Sequence, residues 1–140
     1  MDDSNDLFAN LDKPATPARG AARATLIERH LPTSRLIEQN AATLGVDNQV
    51  EVLFADAFTW GRRNPVPQTR WVVFCSPPYD FYVERQEEMV GLVKRLFGAA
   101  PFGSKFIVEA DDRFAFSRLP SASEWAVRFY PPAMVGITTR

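Results

Sequence analysis

The stretch Trp71-Val72-Val73-Phe74-Cys75-Ser76-Pro77-Pro78-Tyr79 decides the reading of this chain. Its apolar, partly β-branched first half predicts a buried strand. Two consecutive prolines cannot extend a sheet, because neither has an N–H to donate and each fixes φ. The strand therefore stops at Ser76, and the prolines hold a rigid turn whose carbonyls have no competing N–H beside them. Tyr79 follows at once. In open α/β sheets the C-terminal edge of the strands is where ligands bind. A small polar side chain, a fixed carbonyl and an aromatic ring at that edge suit a planar group that carries an amine.

Outward from the turn, strands and helices alternate. Upstream, Ala24-Thr25-Leu26-Ile27-Glu28 and Val50-Glu51-Val52-Leu53-Phe54 read as buried strands, the first ending in an acid and the second followed by Asp56. Between them, Pro32 opens a helix at its first turn, Leu36, Ile37, Ala41 and Leu44 recur at helical spacing, and Gly45 closes it. Gly61 to Gln68 reads as a loop by its Gly, Pro and Arg content. Downstream, a helix is expected from about Val83 to Ala100 with Met89, Leu92, Val93 and Leu96 as its buried stripe. Phe106-Ile107-Val108-Glu109 is the next strand. Trp125 to Phe129 and Met134 to Thr138, joined through Pro131-Pro132, form a terminal antiparallel pair. The alternation predicts an α/β fold: a Rossmann-like, doubly wound, mostly parallel sheet with a C-terminal antiparallel hairpin.

Composition narrows the function classes. The chain has 140 residues, enough for one sheet and its covering helices. A net charge of −1 with a pI near 5.8 argues against a large nonspecific polyanion-binding surface. Local basic groups are present at Arg19, Arg23, Arg29 and Arg35, and at Arg62, Arg63 and Arg70, and read as solvated faces. Cys75 is the only cysteine, so no internal disulfide forms and the chain suits a reducing compartment; within a buried strand it reads as plain core. No apolar run has the length of a membrane span, and the acidic N-terminus lacks the basic and apolar regions of a signal peptide, so a cytoplasmic protein is expected. No Cys/His cluster has metal-ligand spacing, and no metal is expected.

The predicted topology brings Glu28, Asp56 and Ser76–Tyr79 to one sheet edge. An acid ending a strand of a nucleotide-binding fold accepts hydrogen bonds from ribose hydroxyls, and an acid after the next strand can accept from an adenine amine. His30 reads as a surface or cofactor-rim residue, and Glu109, Asp111 and Asp112 as exposed loop acids after a strand.

Asp6-Leu7-Phe8-Ala9, Arg19-Gly20-Ala21-Ala22, Ile27-Glu28-Arg29, Gln39-Asn40, Asp56-Ala57 and Ser76-Pro77-Pro78-Tyr79 together resemble the RsmD-type methyltransferases. These use S-adenosylmethionine to modify the exocyclic amine of a guanine in small-subunit ribosomal RNA. The resemblance spans residues 6 to 138 and implies a monomer acting on ribosomal RNA or the assembling small subunit. It implies a cofactor site from Asp6, Phe8, Ala9, Glu28, Arg29, Asp56 and Ala57, with Glu28 on the ribose and Asp56 on the adenine. It implies a catalytic turn in which Ser76 and the Pro77 carbonyl accept from the target amine, Pro78 keeps the turn rigid, and Tyr79 stacks on the base.

The chain departs from the family at two points. Ser76 stands where the family usually has Asp or Asn; the same Ser-Pro-Pro-Tyr occurs in DNA methyltransferases acting on the cytosine amine, a rival reading. Asn10 to Ala18, with two prolines and no glycine, stands where the family has a glycine-rich turn. The expectation is therefore a truncated or altered N-terminus. Residues 1–19 would be poorly ordered or degenerate, residues 20–140 would form a partial methyltransferase domain, and the central first strand would be missing or poorly formed. Cofactor binding would then be weakened, or the chain would be a non-catalytic remnant.

Overall fold

The computed structural model describes residues 21–63 and 69–140. The chain divides into two compact units, Met1–Trp60 and Gly61–Arg140.

In the first unit, β1 (Ala24–Glu28) and β2 (Val50–Phe54) pair in parallel, with Ala24 opposite Val50 and Glu28 opposite Phe54. Helix α1 (Leu31–Thr43) makes the crossover. It starts at the expected place, with Pro32 in its first turn, where a missing N–H costs nothing. It ends in a Schellman arrangement: Val46 N–H donates to the Ala41 carbonyl and Gly45 N–H to that of Ala42. Gly45 has φ +71°, a left-handed conformation that glycine takes without strain. The buried face differs from the one read in the sequence. Leu36 and Leu44 are 54% and 64% exposed, whereas Ser34 and Ala41 are buried and Ile37 half-buried. Ser34 tolerates this position because its hydroxyl donates to the Leu31 carbonyl at 2.8 Å. Helix α2 (Ala57–Arg63) follows β2, so the loop expected from Gly61 begins inside a helix.

In the second unit a four-stranded sheet has the order β3 (Val72–Cys75), β4 (Lys105–Ala110), β6 (Ala133–Thr139), β5 (Ala126–Tyr130). β3 and β4 are parallel; β4–β6 and β5–β6 are antiparallel, the last pair being the expected terminal hairpin. The helix expected from Val83 to Ala100 is broken at Arg85 into α3 (Phe81–Glu84) and α4 (Gln86–Ala99). Met89, Val90, Leu92, Val93 and Phe97 of α4 are buried, while Leu96 is only half-buried. Phe97 packs at a tilt against Phe106 of β4, their ring centroids 5.2 Å apart. A run of rings continues the core, with Tyr82 against Phe114, Phe114 against Phe116, and Phe116 against Trp125. Gly136 of β6 lies directly beneath that run: a Cβ there would fall 2.3 Å from Phe116 Cε1.

Among the described residues, β1 pairs only with β2, and β3 is an edge strand paired only with β4. The expectation of a missing or poorly formed central first strand falls on the segment before Asp6, outside the described residues. On β3, Val72 and Phe74 are 60% and 52% exposed.

Candidate active site

The turn after β3 is built from both sides. Tyr82 on α3 is fully buried, and its hydroxyl donates to the Cys75 carbonyl at 3.1 Å, tethering the last residue of the strand. Burial also pushes the Tyr82 phenol well above its ordinary range. The Cys75 thiol is pushed up to about 11 by desolvation, which keeps it protonated and a poor nucleophile at neutral pH. Cys75 is half-buried rather than core, on a strand whose Val72 and Phe74 are exposed. After the strand the Pro78 carbonyl accepts from Phe81 N–H and the Tyr79 carbonyl from Tyr82 N–H, so the turn runs straight into α3. Nothing among the described residues donates to the Pro77 carbonyl. That carbonyl and Ser76, which is exposed, are the acceptors this edge presents.

Glu109 completes the arrangement. It lies one residue past Val108, the register partner of Cys75, and so falls beside Ser76. Its carboxylate accepts from Ser76 Oγ at 2.7 Å on one oxygen and from Tyr79 Oη at 2.6 Å on the other. The hydrogen bond to this carboxylate raises the Tyr79 phenol above its ordinary value, with the charges of Glu109 and Asp111 acting in the same direction. The loop beyond β4 adds a second clasp. Arg113 donates to Asp80 Oδ1 at 2.8 Å and to Asp111 Oδ2 at 2.9 Å. Its guanidinium holds the Asp111 carboxyl below the usual carboxylate range. Sequence reading took Glu109 and Asp111 for exposed loop acids; both are partly covered and bonded to the turn or to its clasp. The signal that finds Glu109 is register: aligning Val73-Phe74-Cys75-Ser76 with Phe106-Ile107-Val108-Glu109 as parallel neighbours sets residue 109 beside residue 76.

The first unit carries the other predicted residues. The Ala55 N–H donates to the Glu28 carbonyl at 3.1 Å, extending the ladder, so Glu28 and Asp56 leave the parallel pair at the same, C-terminal end. Glu28 is half-buried, and Oε1 accepts from His30 N–H at 2.8 Å. Its other oxygen meets no partner among the described residues. A carboxylate steadied in this way is a suitable acceptor for a ribose hydroxyl. Asp56 is half-buried, and its Oδ1 accepts from Thr59 N–H at 2.9 Å, fixing its orientation at the start of α2. Arg29 is exposed and Ala57 half-buried at these same strand ends. His30 occupies the N-cap position of α1 without a side-chain capping bond, its Nδ1 lying 2.7 Å from Thr33 Oγ1. Asp6, Phe8 and Ala9, and the segment Asn10 to Ala18, lie outside the described residues.

A model of the family described as conserved hypothetical protein 95 matches residues 16–113. The chain belongs to that family. This is the RsmD family of S-adenosylmethionine-dependent methyltransferases, and the match covers Glu28, Asp56, the turn and Glu109 while beginning beyond Asp6–Ala9. No curated protein matches the chain. Among solved structures, a conserved hypothetical protein from Streptococcus pyogenes superposes with a TM-score of 0.70 at 19% identity, covering 89% of this chain and 76% of that one. The candidate methyltransferase yhhF from Escherichia coli gives a TM-score of 0.67 at 23% identity, over 87% of this chain. An RNA methyltransferase from Salinibacter ruber, solved with S-adenosyl-L-homocysteine, gives 0.60 at 21% identity, over 87% of this chain and 69% of that one. This chain spans 64% of the length of yhhF, just under two thirds. The RsmD-family chain thus shares the Rossmann-like fold of these methyltransferases, as its strand and helix alternation predicted.

Proposed function

We propose that this chain transfers a methyl group from S-adenosylmethionine to the exocyclic amine of a guanine in small-subunit ribosomal RNA, acting as a cytoplasmic monomer. The observation that carries this reading is the pair of acceptors after β3: Ser76 Oγ and the Pro77 carbonyl, beside the Tyr79 ring. The lone pair of a guanine amine is delocalised into its ring, so the amine is a weak nucleophile. Two acceptors that bind its hydrogens can turn the nitrogen so that its lone pair points along the line of attack, and such positioning contributes much of the rate in displacement reactions. Tyr79 would stack on the base once it is drawn out of its helix.

Glu28 would hold the cofactor ribose and Asp56 its adenine amine, roles that suit a steadied carboxylate in each case. When bound, the cofactor would supply a methyl on a sulfonium: the N–C bond would form as the C–S bond broke, with S-adenosylhomocysteine as leaving group and one amine proton passing to solvent. None of the described residues near the turn is needed as a strong base.

Incubating the chain with tritiated S-adenosylmethionine and small ribosomal subunits tests the reading. Label is expected in the RNA, and Tyr79→Ala should reduce it at least tenfold. Label in DNA instead would favour a cytosine-amine substrate, and label that survives Tyr79→Ala would refute the assigned turn.

A further inference from the structure

Ser76 poses a chemical question for the amine site just proposed. A hydroxyl both donates and accepts, and an amine with two hydrogens needs acceptors. A serine free to rotate would spend part of its time presenting its own hydrogen to the amine. An ionised carboxylate does not have this ambiguity.

The carboxylate beside it removes the ambiguity. Glu109 accepts the Ser76 proton at 2.7 Å and the Tyr79 proton at 2.6 Å, one on each oxygen. An ionised carboxylate can only accept, so both hydroxyl hydrogens are directed inward to it. We propose that Glu109 is a positioning residue of the methyl-transfer site, which makes Ser76 Oγ an obligate acceptor towards the target amine and fixes the Tyr79 ring that the base stacks on. The inference rests on the methyl-transfer reading given above. It also explains how a serine serves at a position that otherwise calls for a side-chain carbonyl: the seryl oxygen with its proton tied up offers lone pairs alone.

Glutamine at 109 is the informative replacement. Its amide has one acceptor oxygen and one NH2 donor, so one of the two hydroxyls must turn round and accept. In the Ser76 protein, Glu109→Gln should lower kcat at least tenfold while the KM for S-adenosylmethionine changes less than threefold. In a Ser76→Asp background, where an ionised carboxylate can only accept, the same Glu109→Gln change should cost less than threefold. A purely structural role for Glu109 predicts equal losses in both backgrounds, and that result would overturn the proposal.

A second readout needs neither RNA nor cofactor. Tyrosinate absorbance near 295 nm follows the Tyr79 phenol, with Tyr79→Phe identifying its share of the signal. The charged groups around it are Glu109 and Asp111, with Asp80 adjacent and Arg113 paired to both aspartates. Glu109→Gln should move the Tyr79 titration to lower pH. An unmoved titration would overturn the hydroxyl network and the proposal with it. A moved titration in a chain that methylates no RNA would refute the functional reading, and the positioning role with it, while leaving the network in place.

Discussion

Replacing Tyr82 with phenylalanine removes one oxygen from the most buried side chain beneath the turn. The ring keeps its packing against Phe114, 4.7 Å between centroids, so the change is confined to the hydroxyl's bond to the Cys75 carbonyl and its weaker one to the Cys75 sulfur at 3.8 Å. A neutral hydrogen bond of this kind contributes about 0.5–1.5 kcal/mol net. The carbonyl left behind adds a smaller cost, because Cys75 is half-buried and water can reach part of it. The expected loss is about 1–2 kcal/mol. With a urea slope of about 2 kcal/mol per molar, the midpoint should fall by about 0.5–1 M. Urea titration followed by tryptophan fluorescence reads it, since Trp71 and Trp125 both lie in the same unit as the mutated residue. Tyr82→Ala, which also empties the ring's space, should cost about 3–5 kcal/mol. A Tyr82→Phe midpoint within 0.1 M of the parent, or above it, would show that the hydroxyl does not tether the strand end and would refute this part of the account.

Two further outcomes follow from packing and charge. Gly136→Ala puts a methyl 2.3 Å from Phe116 and should destabilise by about 1–3 kcal/mol through overpacking, read as a lowered melting temperature; Phe116→Leu in the same chain should recover part of it. Glu28→Ala should weaken S-adenosylmethionine binding by about 10–100-fold in calorimetric titration, the value of charge-assisted hydrogen bonds to one carboxylate; unchanged affinity would remove Glu28 from the cofactor site.

Much of this molecule can be read from its residues because the signals are local. The strand before Ser76, the stop at Pro77-Pro78, the helix opened by Pro32 and closed by Gly45, and the hairpin around Pro131-Pro132 each depend on backbone rules that a few residues express. What the sequence conceals is long-range. Leu36 and Leu44 have helical spacing with Ala41, but which stripe of α1 is covered depends on where the sheet lies, and the covered side runs through Ser34 and Ala41. The break at Arg85 has no proline or glycine to announce it; there the backbone leaves the helical region, with φ −126° and ψ 36°. Glu109 stands in the sequence as one more acid after a strand. Its part in the site exists only through the parallel pairing of β3 with β4, which sets residues 33 positions apart within 2.7 Å.

The central claim is that the turn at Ser76–Tyr79 aims a guanine amine at a methyl group. The most direct measurement is mass spectrometry of nucleosides digested from small-subunit RNA after reaction with methyl-deuterated S-adenosylmethionine. The account predicts deuterated methyl in N2-methylguanosine, reduced at least tenfold with Tyr79→Ala. Deuterium in any other nucleoside, or none in a chain that binds the cofactor, would contradict it.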